Sequence, residues 1–136
     1  MWLPKSDKPK KKRKKRQKTE RQKLLERLDA VFSLWIRKRD KGVCFTCGKH
    51  KDIKEMQNGH YVSRGKMSLR FDEFNCHCQC FGCNMILQGN MDEYAFRIIE
   101  KYGVEKLNEL RRKKWEHKSW AIPELQDLIK KYSPDP

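Results

Sequence analysis

CFTC at residues 44–47 and CFGC at residues 80–83 are the two stretches that decide the fold of this chain. Each pair can present two thiolates from one tight turn, and two such pairs supply the four soft ligands of a tetrahedral zinc ion. The 32 residues between the pairs exceed what a simple zinc ribbon needs, so we expect them to form a β-hairpin. The spacing therefore predicts a structural Zn2+ bound by Cys44, Cys47, Cys80 and Cys83.

Two further cysteines lie just before the second pair. Cys76, Cys78 and Cys80 recur at every second position, which would place them on one face of a strand. Free cysteine is readily buried, so we expect Cys76 and Cys78 to pack in the core, with spare metal ligands as the alternative. His77 would lie on the opposite face of that strand.

The charge of the chain indicates its partner. The 136 residues carry 33 basic and 18 acidic side chains, a net charge of +15. This excess favours a polyanion, and nucleic acid is the default choice. A membrane surface is the weaker alternative, because the basic run near the N-terminus is not amphipathic.

Nothing in the sequence resembles a secretion signal or a membrane span. Residues 1–4 run directly into lysines, and no apolar run approaches the ~20 residues that cross a bilayer. We therefore expect a cytoplasmic protein. In that reducing compartment, clustered cysteines are metal ligands rather than disulfides.

The sequence divides into a basic tail and one domain. Residues 1–18 are expected to be disordered because their charges repel one another, and residues 19–136 to form the domain. Within the tail, the basic residues predicted to contact nucleic acid are Lys11, Lys12, Arg13, Lys14, Lys15 and Arg16. A merely solubilising tail is the alternative.

Helix signals frame the central segment. Thr19 and Gln22 have the spacing of a capping box, which predicts a helix over 19–40. Its apolar stripe should pack on the domain, with a dimer seam as the alternative. The zinc-containing core is expected over 43–90. Asn90 is expected to cap the next helix, within a helical region over 91–132.

His60 is the best candidate for a catalytic base. Hydrolysis of a phosphodiester needs an activated water, which a histidine can supply, and positive charge, which a divalent metal can supply. His60 lies between the two cysteine pairs, in the expected hairpin. Asn84 follows the last cysteine, where its amide oxygen could bind Mg2+ or could instead cap a helix. Asn75 is the third candidate, and a turn residue is its alternative.

Basic residues near these positions fit a DNA substrate. Three of them fall between the candidate base and Asn75, where phosphates would pass: Arg64, Lys66 and Arg70. A second basic cluster at residues 111–114 is followed by Trp115, and a solvated helix end is its alternative. No feature predicts reading of base edges, so contacts to phosphates and shape should dominate.

These residues together resemble the HNH, or ββα-metal, endonuclease superfamily. The resemblance is closest to the phage lambda NinG (Rap) family. It rests on Gly-His-Tyr at 59–61, Leu-Arg-Phe-x-Glu-x-Asn-x-His-x-Gln at 69–79 and Cys-x-x-Cys-Asn at 80–84. It extends over roughly residues 30–132.

The resemblance implies a small α+β protein with a zinc-stapled ββα-metal core and flanking helices. It also implies a structure-specific DNA endonuclease of phage recombination, acting on branched DNA such as Holliday junctions and D-loops in the host cell cytoplasm. His60 would be the general base, Asn84 would help to hold a catalytic Mg2+ or Mn2+, and Asn75 would orient His60 or brace the hairpin. Since junction resolution needs two symmetric cuts, a homodimer is a further hypothesis.

The chain departs from the pattern at Gly59. Many HNH enzymes have Asp or His there, directly before the base, as a metal ligand. The second protein ligand is therefore open among His77, Asn58, Asp72 and Glu73, and His77 is the preferred choice. Two alternatives follow: a non-catalytic zinc module that binds nucleic acid, and a nonspecific nuclease.

Overall fold

A computed structural model of this chain describes Trp2, Pro4 and residues 8–134. These residues form four α-helices and one two-stranded antiparallel sheet, which confirms the α+β class. In chain order the elements are α1 (Glu20–Arg39), β1 (Gln57–His60), β2 (Cys76–Gln79), α2 (Met91–Tyr102), α3 (Val104–Lys113) and α4 (Ile122–Tyr132). A 3-10 turn at Ile53–Glu55 precedes β1, and a π-helical turn at Gly82–Ile86 follows β2.

The predicted disorder of residues 1–18 falls partly outside the described residues. Where the structure describes the tail, residues 8–19 form no helix or strand and are exposed. The six basic residues at 11–16 lie in this exposed stretch, and their contact with nucleic acid stays a prediction.

The capping box at the start of α1 is present. Thr19 Oγ1 accepts a hydrogen bond from Gln22 N at 3.2 Å, and Gln22 Oε1 accepts one from Thr19 N at 2.9 Å. Basic side chains in the last turn of α1 complement the negative end of the helix dipole.

The apolar stripe of α1 packs within the molecule. Leu28, Phe32 and Ile36 are buried in a cluster with residues of α4. The ring of Phe32 meets that of Tyr132 nearly edge-on, with centroids 4.8 Å apart, and meets Phe71 in the same way at 5.8 Å. This packing confirms the expected role of the stripe, and the same apolar surface is not left free for a dimer seam.

The hairpin lies between two apolar clusters. In its register His60 pairs with Cys76 and Gly59 pairs with His77, so each pair shares one face of the sheet. Cys76 belongs to the cluster of α1 and α4. The other face meets the second cluster, which α2 and α3 form with Leu69.

An ionic contact joins the end of α1 to β2. Arg39 donates from its guanidinium to the carbonyls of Glu73 and Cys76, both at 2.8 Å, and pairs with Asp40 at 2.7 Å. Asp40 Oδ2 in turn accepts a hydrogen bond from Cys78 N at 2.8 Å. Two adjacent side chains thereby fix the angle between the helix and the strand.

Helix termini depart from expectation at Asn90. This residue precedes α2 in a left-handed conformation, with φ of 50°, and its side chain makes no capping bond. Its Nδ2 points to Cys83 Sγ at 3.8 Å instead. At α4, Glu124 Oε1 accepts a hydrogen bond from Ala121 N at 3.3 Å, so half of a capping interaction is made without a hydroxyl.

No helix in the described part of the chain is long and apolar enough to cross a membrane.

The packing of α1 on α4 predicts the cost of truncating its central ring. Phe32→Ala should lower the free energy of unfolding by about 3–5 kcal/mol, because a large cavity would open between Phe71 and Tyr132. Phe96→Ala is the matched control, since 56% of the Phe96 surface is exposed on α2. It should cost less than about 1 kcal/mol in urea denaturation. Equal losses in the two variants would contradict this assignment of the core.

Candidate functional site

The four cysteines of the two pairs converge. The sulphur atoms of Cys44, Cys47, Cys80 and Cys83 all lie within 4.8 Å of one another. The sulphurs of Cys47 and Cys80, from different pairs, are 3.7 Å apart. These four cysteines are therefore positioned to bind one metal ion. This confirms the prediction, made from their spacing, that the two pairs form one site.

Backbone hydrogen bonds shape the first pair and attach it to the hairpin. Gly48 N donates to the Cys44 carbonyl at 2.9 Å, and Cys44 N donates to the Lys49 carbonyl at 2.8 Å, which closes a tight turn. Gly48 has φ of 76°, a conformation that favours glycine. Phe45 N donates to the Cys78 carbonyl at 2.8 Å, so the turn is fixed directly to β2.

The thiols of the cluster have divergent acidities. Burial opposes ionisation of Cys44, yet hydrogen bonds from the Thr46 hydroxyl and from backbone groups outweigh it and lower its pKa to about 6. Burial, together with the neighbouring sulphurs, raises the pKa of Cys47 to about 12. Four close thiolates repel one another, so a cation is needed before all of them can ionise.

Cys76 and Cys78 pack in the interior as expected. Both are fully buried, and neither belongs to the four-cysteine cluster. Burial raises the pKa of the Cys78 thiol to about 12.

His60 ends β1 and carries a defined proton. Its Nε2 lies 3.0 Å from the carbonyl oxygen of Arg70. A carbonyl can only accept, so Nε2 carries the hydrogen and Nδ1 keeps the lone pair in the neutral ring. Burial is the largest influence on this imidazole, and it lowers the pKa of His60 below its ordinary value of 6.5. Near neutral pH the ring is therefore an unprotonated base.

Asn75 braces the loop that follows β1. Its Oδ1 accepts from Val62 N at 2.8 Å, and its Nδ2 donates to the carbonyls of Val62 and Leu69, both at 3.0 Å. The side chain is fully buried. These contacts match the bracing role expected of Asn75, whereas no hydrogen bond among the described residues joins it to His60.

Asn84 lies in the π-helical turn after the last cysteine. Its Nδ2 donates to Gln57 Oε1 at 2.7 Å, which orients the amide and leaves Oδ1 as an acceptor without a partner among the described residues. Gln57 shares a sheet face with Gly59, whereas His60 lies on the other face. The structure therefore ties Asn84 to the strand that ends in His60, without a hydrogen bond between the two within the described residues.

His77, the preferred second ligand, has a different environment. Tyr94 donates its hydroxyl hydrogen to the Gly59 carbonyl at 2.7 Å, so its oxygen accepts from His77 Nδ1 at 3.0 Å. His77 Nε2 then accepts from the Tyr102 hydroxyl at 2.9 Å. Burial, with a contribution from Arg39, lowers the pKa of His77 to about 3. Because both nitrogens are engaged in the interior, the choice of His77 as a metal ligand is corrected here.

The other three ligand candidates differ in what their oxygens contact. Asp72 accepts from the backbone N–H groups of Phe74 and Asn75. Glu73 accepts from the Tyr132 hydroxyl at 2.8 Å. Asn58 Oδ1 is buried and has no hydrogen-bond partner within the described residues. It lies on the same face of β1 as His60.

The space beside Gly59 is filled by Gln79. A β-carbon at position 59 would lie 1.9 Å from Gln79 Oε1. Gln79 is held there because its Nε2 donates to Thr46 Oγ1 at 3.1 Å and to the Gly89 carbonyl at 2.9 Å. Glycine at position 59, where the chain departs from the HNH pattern, is therefore required by the packing of this interior. No acid can stand there while Gln79 keeps its place.

The basic residues of the hairpin loop differ in their exposure and in their contacts within the protein. Arg70 forms a paired contact with both carboxylate oxygens of Asp29, and only 14% of its side chain is exposed. Its predicted contact with DNA gives way to this internal one. Arg64 is 64% exposed and lies 3.9 Å from Asp29. Lys66 lies over the Trp115 ring at 5.4 Å. Arg64 and Lys66 stay the candidates for DNA contact.

Sequence reasoning missed the roles of Tyr94 and Gln79. Tyr94 reads as one more apolar position of α2, yet its fully buried hydroxyl joins β1 to His77. A tyrosine in an apolar stripe signals a polar partner in the core, because a buried hydroxyl needs one.

Comparisons with known proteins match this chain to phage proteins. The family model described as Bacteriophage Lambda NinG protein matches residues 4–135. The chain is 30% identical over 110 residues to Protein ninG of Escherichia phage 933W, covering 79% of this chain and 54% of that protein. It is 29% identical to Protein ninG of Salmonella phage P22 and of Escherichia phage lambda, in each case over 79% of this chain and 53% of the relative.

The chain thus spans about half the length of the curated relatives it matches. No solved structure shows a significant match to it.

The contact between Gly59 and Gln79 makes the two positions interdependent. Gly59→Ala should lower the free energy of unfolding by about 2 kcal/mol, because the new methyl group displaces a hydrogen-bonded amide. In a Gln79→Ala background the same change should cost less than about 0.5 kcal/mol. A double-mutant cycle by urea denaturation measures the coupling.

Gly65→Ala is the matched control for this cycle. A β-carbon there meets only Ser63 Oγ, at 3.8 Å, and the change should be close to neutral. Additive effects at positions 59 and 79 would contradict the described contact.

Proposed function

The chain belongs to the bacteriophage lambda NinG family, and on this premise we propose that it is a metal-dependent, structure-specific DNA endonuclease of phage recombination. Its substrates would be branched DNAs such as Holliday junctions and D-loops. The observation that carries the proposal is the state of His60. A partly buried imidazole whose Nε2 hydrogen is donated to a carbonyl presents Nδ1 as a base.

The four-cysteine cluster supports a structural Zn2+. Thiolates about 2.3 Å from a tetrahedral zinc lie about 3.8 Å apart, close to the 3.7 Å between Cys47 and Cys80. Four sulphur ligands leave no open coordination position, so this ion would hold the fold rather than act on DNA.

A second cation would act beside the scissile phosphate. The Oδ1 of Asn84, which accepts no hydrogen bond within the part of the chain that the structure describes, suits Mg2+ or Mn2+, and such ions take most of their other ligands from water and substrate phosphate. When bound, this cation would neutralise charge on the phosphate and the leaving oxygen. Asn58 is the ligand candidate whose oxygen is unengaged among the described residues.

In the proposed reaction, His60 Nδ1 removes a proton from water, and the oxygen attacks the phosphorus in line. The P–O3′ bond breaks, and the leaving oxygen takes a proton from solvent water, which leaves a 5′-phosphate and a 3′-hydroxyl. Asn75 holds the loop so that the Arg70 carbonyl stays on Nε2, because its three hydrogen bonds fix both ends of residues 62–69. A homodimer would place two such bases for the two cuts of a junction.

The zinc proposal predicts the metal content of cysteine variants. The wild-type chain should contain about one zinc per molecule by mass spectrometry of the metal. Cys83→Ser should lose most of it and unfold at a lower temperature. Cys76→Ala, which alters a buried cysteine outside the cluster, should keep it. Zinc that persists in Cys83→Ser, or is absent from the wild type, would contradict the assignment.

The catalytic proposal predicts how cleavage depends on His60. With Mg2+ or Mn2+, the wild-type chain should cut a labelled four-way junction and leave matched linear duplex largely intact. His60→Ala should slow the single-turnover rate by about 100- to 10,000-fold while binding persists. His50→Ala is the control, since His50 is exposed beside the first cysteine pair, and it should cut normally.

The pH dependence follows from the lowered pKa of His60. The base is active when deprotonated, so the rate should rise with pH below 6.5 and level off above it. A rate that keeps rising in proportion to hydroxide up to about pH 8 would assign the limiting deprotonation to another group.

A non-catalytic zinc module that binds nucleic acid is the second candidate function. The observation that favours it is Gln79 in the space where related nucleases place an acid. Tight junction binding without cuts, under any divalent metal, would establish this alternative. Equal cutting of junction and duplex would indicate a nonspecific nuclease.

A further inference from the structure

Trp115 is an indole in solvent at the end of α3. It is 77% exposed, two residues beyond the last residue of the helix. Two lysine ammonium groups lie over its ring, Lys66 at 5.4 Å from the centroid and Lys114 at 5.1 Å. An exposed aromatic face between cations is the arrangement with which proteins bind nucleobases and their phosphates.

The indole separates two clefts. The first has a volume of about 370 Å³ and is lined by Tyr61, Val62, Ser63, Met91, Arg111, Lys114 and Trp115. The second, of about 330 Å³, lies on segment 65–67 and residues 114–118. Each cleft therefore offers an aromatic wall and basic side chains.

Hydrogen bonds fix the clefts beside the candidate base. Ser68 Oγ donates to the Lys113 carbonyl at 2.7 Å, and Trp120 Nε1 donates to the Met67 carbonyl at 3.0 Å. The first bond holds the loop after β1 against the last residue of α3, and the second holds that loop to the segment before α4. Tyr61, in the wall of the first cleft, directly follows His60.

The charges around Trp115 are available to an external anion. The ion pairs described near the clefts use Lys113 and Lys118, with Glu109 and Glu124 as partners. Within the described part of the chain, Lys66, Arg111 and Lys114 form no ion pair. An occupant with alternating phosphates and flat apolar rings would complement this surface.

We propose that Trp115 stacks on an unpaired nucleobase of the DNA, while Lys66, Arg111 and Lys114 bind the adjoining phosphates. In continuous duplex both faces of each base already stack on neighbours, so an indole gains a partner only where a base is unpaired. The displaced single strand of a D-loop supplies such bases. The inference deepens the proposed function, on which it rests, by naming the element that distinguishes a branch from duplex.

The test is binding by fluorescence anisotropy without added divalent cation, so that no cleavage intervenes. The probes are a labelled single strand of about 15 nucleotides and the same strand in blunt duplex. Trp115→Ala should weaken binding of the single strand about 5- to 100-fold and that of duplex less than about threefold. Trp115→Phe, which keeps a stacking ring, should retain most of the affinity.

Arg111→Gln provides the control for charge. It should weaken binding to both probes alike and reduce the dependence on salt by about one counterion. Equal losses on the two probes in Trp115→Ala, no loss at all, or a wild type that binds neither probe would overturn the inference.

Failure of this inference is distinguishable from failure of the proposed nuclease. If the wild type cuts no junction while Trp115→Ala still loses single strand selectively, the nuclease proposal falls and the stacking site stands. If junctions are cut and Trp115→Ala binds both probes as the wild type does, the stacking site alone falls.

Discussion

Convergence of four sulphur atoms from the two ends of the hairpin segment is the constraint on which the rest of the structure depends. Only 37% of the residues are hydrophobic, and the apolar interior is split between two clusters on opposite sides of a two-stranded sheet. Such a sheet is marginal on its own, and a small core gains much from a metal crosslink. A metal ion bound by the cysteine cluster would join residue 44 to residue 83 and hold the sheet between its two helical layers.

The interior around the cysteine cluster is unusually polar for its size. Asn75, His77 and Gln79 are fully buried, and each is held by hydrogen bonds to fixed backbone or hydroxyl groups. Hydrogen bonds of this kind favour one arrangement, because a shift leaves donors or acceptors unpaired, although Gln79 Oε1 already has no partner within the described residues. Much of the motif at 69–79, on which the family resemblance rests, therefore has a structural role as the scaffold. The proposed chemistry depends on His60, whose Nε2 hydrogen is bound by a carbonyl of that scaffold.

Patterns in the local sequence were sufficient to predict the features that depend on neighbouring residues or on ligand chemistry. The capping residues and apolar period of α1, and the paired cysteines, each depend on neighbours within a few positions or on ligand chemistry. The roles of His77 and Arg70 depend instead on partners far along the chain, Tyr102 and Asp29. Gln79 beside Gly59 depends on the register of the sheet. Asn90 has the residue type of a cap, but the turn before α2 gives it a left-handed backbone that directs its amide toward Cys83.

The close approach of Gln79 to Gly59 also bears on how this sequence could evolve. Any residue other than glycine at position 59 carries a β-carbon, which would displace the Gln79 amide at a cost in stability. A shorter side chain at position 79 would make room for it, but would give up the bonds of Gln79 to Thr46 and Gly89. Substitutions at positions 59 and 79 are therefore expected to be interdependent, and in either order the first of them gives a less stable chain.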